Sequence, residues 1–141
     1  MARDGQRRGR PPVELAAMAV GDRRSLTEAE IAHFDLVARS TALRARLMVV
    51  PFLPPGSAGM TIGRRVLLRR DHERRHALIA HELVHVEQWR DQGRVRFLTR
   101  YLADYLRSRG AGARHRAAYL AIPAEQEARD RTEAWSAGFW L

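Results

Sequence analysis

Residues 81–85 read His-Glu-Leu-Val-His, a spacing that suits metal-assisted hydrolysis. On an α-helix, side chains four positions apart lie on the same face, so His81 and His85 can reach one Zn²⁺ ion. Glu82 follows about 100° further around the helix and is not expected to be a ligand. It is placed to take a proton from a water molecule in the open coordination position of the metal. The motif therefore predicts two zinc ligands, His81 and His85, and one general base, Glu82.

A catalytic zinc site needs a third protein ligand, and the sequence limits the choice. The chain has no cysteine, and Gln88 and Asp91 occupy the positions where a longer histidine motif would continue. A downstream carboxylate is therefore favoured. Glu125 and Glu127 are the candidates, because they follow Pro123, a residue typical of the first turn of a helix.

Glu125 and Glu127 are two positions apart, so they point to nearly opposite faces of the predicted helix. The face of Glu125 carries more apolar bulk than that of Glu127 and is expected to pack against the motif helix. Glu125 is therefore the predicted third ligand, with Glu127 as the alternative. Both could instead serve only to stabilise the helix dipole. The apolar face that includes Glu125 also holds Ile122, Ala128, Thr132 and Trp135.

Hydrophobic spacing and turn residues predict the elements that must position these side chains. Ser25–Glu28 has the spacing of a capping box, and Asp71 can cap the motif helix. We expect an α+β fold, mostly helical, with a small sheet packed beside the motif helix. The predicted elements are a helix over about 26–40, strands over 47–53 and 61–70, and helices over about 72–92, 97–110, 116–121 and 123–137.

Length and composition predict one globular domain. The chain has 141 residues, of which 45% are hydrophobic and 29% charged, and these values exclude general disorder. Residues 1–12 are expected to form a flexible basic tail and residues 13–141 a single domain. No apolar run approaches the roughly 18 residues of a membrane-spanning helix. We therefore expect no membrane contact and a cytoplasmic location.

The formal net charge of +9 is unusual, and all 25 basic residues are arginine. A coding bias towards arginine explains most of this charge, so nucleic-acid binding is possible but not favoured. The basic segments 64–75 and 94–116 flank the motif helix, whereas 124–133 is acidic. Solvated surfaces are the favoured interpretation of the basic segments, and attraction of an acidic partner is the alternative. The aromatic residues of 94–116 alternate with arginines but fall on an apolar stripe, which favours core packing.

Ala80–Gln88 and Glu125–Ala128 resemble gluzincin-type zinc metallopeptidases and are similar to small bacterial zincin-like domains of unknown function. The shared patterns are A-H-E-L-x-H-V-x-Q and Glu-x-Glu-Ala, and the resemblance covers about residues 43–137. It implies a minimal zincin-like fold, zinc ligands His81, His85 and Glu125, and Glu82 as the base. Many gluzincins have an aspartate four positions after the ligand glutamate, where this chain has Arg129.

The resemblance also implies an edge strand beside the cleft, for which Met60–Arg69 is the candidate, able to pair with an extended peptide. Tyr119 or His115 could stabilise an oxyanion, although core packing is the more ordinary role for Tyr119. The predicted function is zinc-dependent hydrolysis of peptide bonds in a peptide or protein substrate. The alternatives are a basic nucleic-acid-binding module and a zincin scaffold that acts as an interaction domain.

Overall fold

The computed structural model describes residues 13–139, so the predicted tail over 1–12 lies outside the described residues. Within 13–139 the chain forms six helices and a small four-stranded sheet, which confirms the predicted α+β fold class. In chain order the elements are β1 Arg23–Ser25, α1 Glu28–His33, α2 Arg39–Arg44, β2 Arg46–Val50, β3 Gly59–Ile62, β4 Arg65–Arg69, α3 His76–Gln92, α4 Arg94–Gly110, α5 His115–Ala121 and α6 Pro123–Ser136.

The sheet has the strand order β1-β2-β4-β3, which puts β3 at an edge. β2 and β4 are parallel, whereas β1 and β3 run antiparallel to their neighbours. Alternate residues of β2 and β4 are buried, and Leu47 lies opposite Val66 in the register. Because α3 contacts both β3 and β4, the sheet packs beside the motif helix as expected.

The single strand predicted over 61–70 is wrong, because this segment is part of a hairpin. Gly63 has a φ of 63°, a conformation that glycine adopts at little cost, and it turns the chain between β3 and β4. The candidate edge segment Met60–Arg69 is therefore divided between two strands. Its β3 part lies at the sheet edge, and its β4 part lies inside the sheet.

The predicted helix over 26–40 is two short helices, α1 and α2, separated by a turn. The chain leaves helical geometry at Phe34, which is fully buried and stacks on Trp135 of α6. A capping box is present, but it starts two residues later than predicted: the Thr27 side chain accepts from Glu30 N, and the Glu30 carboxylate accepts from Thr27 N.

The motif helix α3 begins at His76, four residues later than predicted. Asp71 does not cap it, because Asp71 has a positive φ of 72° and the N-cap residue is Arg75. The helix ends as predicted, with Gly93 as its C-cap residue. Gly93 has a φ of 78° and is also the N-cap residue of α4. Much of α3 is buried, so its two histidines are held by a packed helix.

The predicted apolar stripe of α4 is only partly buried. Phe97 is buried and packs against Trp89, and Tyr101 and Tyr105 are half-buried. The leucines of the stripe are exposed, at 47% for Leu98. Among residues 13–139, no helix has the length and apolar character needed to span a membrane.

Candidate metal centre

Three side chains from two helices converge at one point. His81 Nε2 lies 3.0 Å from Glu125 Oε2, and His85 Nε2 lies 3.1 Å from Glu125 Oε1. The two imidazole Nε2 atoms are 3.2 Å apart. His85 and Glu125 are buried and His81 is half-buried, so these groups meet at the base of a cleft. The three residues form a group that could hold a metal ion.

The distances within this group fit a tetrahedral metal. Ligand atoms about 2.0–2.1 Å from a tetrahedral zinc ion lie about 3.3 Å from one another. The observed separations of 3.0, 3.1 and 3.2 Å are within a few tenths of an ångström of that value. Two imidazole nitrogens and one carboxylate oxygen are also a donor set that divalent transition metals accept. The residues present therefore fit a bound metal ion.

Glu125, and not Glu127, lies at this centre. Pro123 stands in the first turn of α6, and Glu125 follows with only 3% of its surface exposed. Glu127 is exposed and its carboxylate lies 3.3 Å from Arg131 Nη1. The apolar-face argument made from the sequence therefore selected the glutamate that meets the histidines. Arg129 is not part of this centre, since its Nη2 donates to Leu120 O.

Gln88 orients His85 and ties the two helices together. His85 Nδ1 donates to Gln88 Oε1 at 2.7 Å, and Gln88 Nε2 donates to Ala124 O at 3.0 Å. With its proton on Nδ1, His85 presents the Nε2 lone pair to the centre. From the sequence, Gln88 was only a position without histidine and the last residue of the pattern A-H-E-L-x-H-V-x-Q, with no role of its own. Its place three residues after His85, on the same helical face, was the signal that could have identified it.

Two tyrosines also lie near Glu125. Tyr101 of α4 donates from its hydroxyl to Glu125 Oε1 at 2.9 Å, a contact that the sequence did not indicate. Burial together with the charge of Glu125 raises the pKa of Tyr101 and of Tyr119 of α5. The other oxyanion candidate, His115, is bonded through Nδ1 to the Tyr105 hydroxyl at 2.7 Å.

Glu82 is buried beside the histidines and faces the edge strand β3. Thr61 Oγ1 donates to Glu82 Oε2 at 2.7 Å. Burial raises the pKa of Glu82, and the partial opposing effects of His85, Thr61 and His81 do not cancel that rise. β3 can lie this close to Glu82 because residue 59 is glycine. A Cβ atom at that position would stand only 3.2 Å from Glu82 Cγ, a very tight contact.

The cleft has two unlike halves, and Glu82 and Tyr119 line both of them. The half that we call the apolar recess, with a volume of about 380 Å³, is lined largely by Met60, Ile62, Trp89, Phe97, Leu98 and Leu102. The half that we call the basic recess, with a volume of about 480 Å³, includes Arg75, His81, Arg116, Arg129, Thr132 and Glu133. Glu82 and Tyr119 can therefore contact a ligand in either half.

Comparison with known proteins gives one partial match. A family model described as the eCIS core domain matches residues 55–93. The matched segment holds β3, β4 and α3, and therefore contains His81, Glu82 and His85 but not Glu125. No curated protein and no solved structure matches the chain.

Proposed function

We propose that this chain is a zinc-dependent metallopeptidase of the zincin-like, gluzincin type, which hydrolyses peptide bonds. The observation that carries the proposal is the convergence of His81, His85 and Glu125, with the Glu82 carboxylate beside them. Three protein ligands of this kind, with a carboxylate next to the centre, are the usual composition of a catalytic rather than a structural zinc site.

His81, His85 and Glu125 would hold the zinc ion. When bound, zinc supplies Lewis-acid chemistry: it lowers the pKa of a water molecule and stabilises negative charge on the substrate carbonyl oxygen. Gln88 and Tyr101 fix the orientations of His85 and Glu125, because each donates to or accepts from a ligand side chain.

Glu82 is the group of this chain that moves the proton. Thr61 holds its Oε2 atom, which leaves Oε1 to accept a proton from the attacking water. Burial raises the pKa of Glu82 above its ordinary value, the direction that suits a group that accepts and then passes on a proton. The proton then goes to the nitrogen of the leaving amine.

The substrate would bind along β3 and next to Tyr119. β3 is at an edge of the sheet, and an extended peptide can pair with such an edge through its main chain. Tyr119 lines both halves of the cleft and is 39% exposed, so its hydroxyl can donate to a carbonyl oxygen in the substrate. Both features support an extended peptide as the substrate.

Metal analysis and peptide cleavage test this proposal together. We expect the purified protein to carry about one equivalent of zinc and to cleave members of a mixed peptide library, with products identified by mass spectrometry. Chelation should abolish cleavage, and added zinc should restore it. Protein that binds no metal, or cleavage that persists after the metal is removed, would contradict the proposal. Bound zinc without any cleavage would favour the interaction-domain alternative instead.

A further inference from the structure

We propose that the basic recess is a subsite for a carboxylate group of the substrate, next to the peptide bond that is cleaved. This inference rests on the proposed peptidase function and specifies its substrate class. His81 and Glu82 line the recess on its inner side, so a ligand bound there lies directly beside the reacting groups. The carboxylate can come from an acidic side chain or from the C-terminus of a peptide.

Three arginine residues line the basic recess. Arg75, Arg116 and Arg129 come from the start of α3, from α5 and from α6, and all line the same cavity. None of them forms an ion pair with another residue in the range 13–139. Arg75 contacts His72 and Arg129 donates to Leu120 O, and each keeps further N–H groups for a ligand.

The charge balance of the recess favours an anion. Its three arginines face two carboxylates, those of Glu82 and Glu133. Glu82 is already hydrogen-bonded to Thr61 at the inner wall, and Glu133 is exposed on α6. Arginine binds carboxylates with charge-assisted, often bidentate hydrogen bonds, so an acidic group is the ligand that this arrangement suits best.

A buried hydroxyl in the wall of the recess supports a polar ligand. Thr132 is 8% exposed, and its Oγ1 atom has no hydrogen-bond partner among the described residues. A buried polar atom without a partner is unfavourable, and a water molecule or polar group admitted beside it on ligand binding would relieve this. The apolar recess on the other side of Glu82 lacks such a group and is lined by leucine and aromatic side chains.

Matched peptides and matched arginine variants test the subsite. One peptide carries a glutamate beside the scissile bond and its partner carries glutamine there, both amidated at the C-terminus. A third peptide carries the glutamine and a free C-terminal carboxylate at the same distance from the bond. We expect the parent protein to prefer a carboxylate-bearing peptide by about tenfold in kcat/KM, because charge-assisted hydrogen bonds are worth about this much.

Arg116→Gln should remove most of this preference, whereas Arg96→Gln should leave it unchanged. Arg96 is an exposed arginine of α4 that lines neither recess, and its replacement changes the net charge by the same amount. Preference for the glutamate peptide identifies a side-chain carboxylate, and preference for the free acid identifies the C-terminus. Equal cleavage of all three peptides, or equal effects of the two variants, would overturn the subsite.

Binding of the same peptides to Glu82→Gln protein separates the two proposals. If the parent cleaves no peptide, the peptidase proposal fails. A carboxylate preference in binding, measured by fluorescence anisotropy and lost in the Glu82→Gln/Arg116→Gln double variant, would then still support the subsite. Absence of binding, or equal binding of the three peptides, would overturn the subsite whether or not cleavage occurs.

Discussion

Glu30 and Glu125 are both buried glutamates, at 0% and 3% exposure, but their partners differ. Glu30 receives two hydrogen bonds from the Arg24 guanidinium, at 2.5 and 2.8 Å, and further bonds from the backbone N–H groups of Thr27 and Ala16. Glu125 meets two imidazoles and a tyrosine hydroxyl. Burial alone would raise the pKa of either carboxyl, but in both cases hydrogen bonds and nearby positive charge together lower the pKa more than burial raises it.

The difference lies in the source of positive charge. Arg24 carries a permanent charge, so the chain itself neutralises the Glu30 anion. An imidazole, unlike a guanidinium, can be neutral, and the lone pairs of the imidazoles near Glu125 can then turn towards a cation. Burying a carboxylate without a cation is costly. Glu30 is therefore part of a completed structural ion pair, whereas the surroundings of Glu125 would be completed by the proposed metal ion.

Removing the charge of Glu125 should have the largest effect. We expect Glu125→Gln to weaken zinc binding by several orders of magnitude, because it removes the anionic ligand. Zinc content and competition with a chromophoric chelator measure this loss. Glu127→Gln is the matched control, since Glu127 is two residues away on α6 and exposed. Parent-like zinc binding in Glu125→Gln, or lost binding in the control, would remove the distinction between the two buried glutamates.

Glu82 is a third buried glutamate, and its replacement should separate metal binding from catalysis. We expect Glu82→Gln to retain zinc and to lower kcat/KM by about 10²–10⁴-fold, the usual contribution of a general base. Asp91→Asn on the same helix is exposed and should leave both quantities unchanged. If Glu82→Gln cleaves peptides like the parent, the proton has another acceptor.

The parts of this site that follow one helix were predictable from the sequence, and those that depend on packing between helices were not. The motif spacing and the apolar face of α6 identified His81, His85 and Glu125, since helical geometry alone puts these side chains on the right faces. Tyr101 reaches Glu125 from α4, and no local pattern connects residues of different helices.

Prediction from the sequence was also limited for the short helices and strands of the fold. Periodicity located α4 and α6 well, because 17 and 14 residues give a repeat that can be recognised. It missed β1, whose three residues are all polar, and joined α1 to α2 across a turn. The hairpin at Gly63 was missed because Ile62, Val66 and Leu68 keep the same period-2 phase on both sides of the turn, although Arg64 interrupts it.

Breaking the Glu30 ion pair should affect folding and leave metal binding intact. We expect Glu30→Gln to lower the free energy of unfolding by about 2–3 kcal/mol, because Arg24 then lies half-buried without its partner. Denaturant unfolding of the zinc-free protein measures this effect. Glu28→Gln is the control: its ion pair with Arg39 is exposed and should contribute about 0–1 kcal/mol. Loss of zinc affinity in Glu30→Gln would contradict the separation of the two regions.

The effect of Glu30→Gln on the free energy of unfolding should also depend on pH. The pKa of Glu30 is lower in the folded state than its ordinary value of 4.5, so its stabilising contribution is complete above that value. The contribution is lost as the pH falls from 4.5 through the folded-state pKa. The stability difference between the parent and Glu30→Gln should therefore narrow in this acidic range. A constant difference down to the lowest measurable pH would show that the ion pair is not its cause.

Replacing Gln88 should have the smallest effect on zinc affinity, because Gln88 acts on the metal centre through His85. Gln88→Ala removes the acceptor for His85 Nδ1 and the link to Ala124 O. We expect zinc affinity to fall by about 10–100-fold, the usual cost of losing such a partner. Gln88→Glu keeps an acceptor for Nδ1 and should recover much of the affinity, whereas Gln92→Ala, one turn further along α3, should have no effect. A loss in Gln88→Ala that Gln88→Glu does not reduce would mean that the link between helices, and not the histidine tautomer, supports the centre.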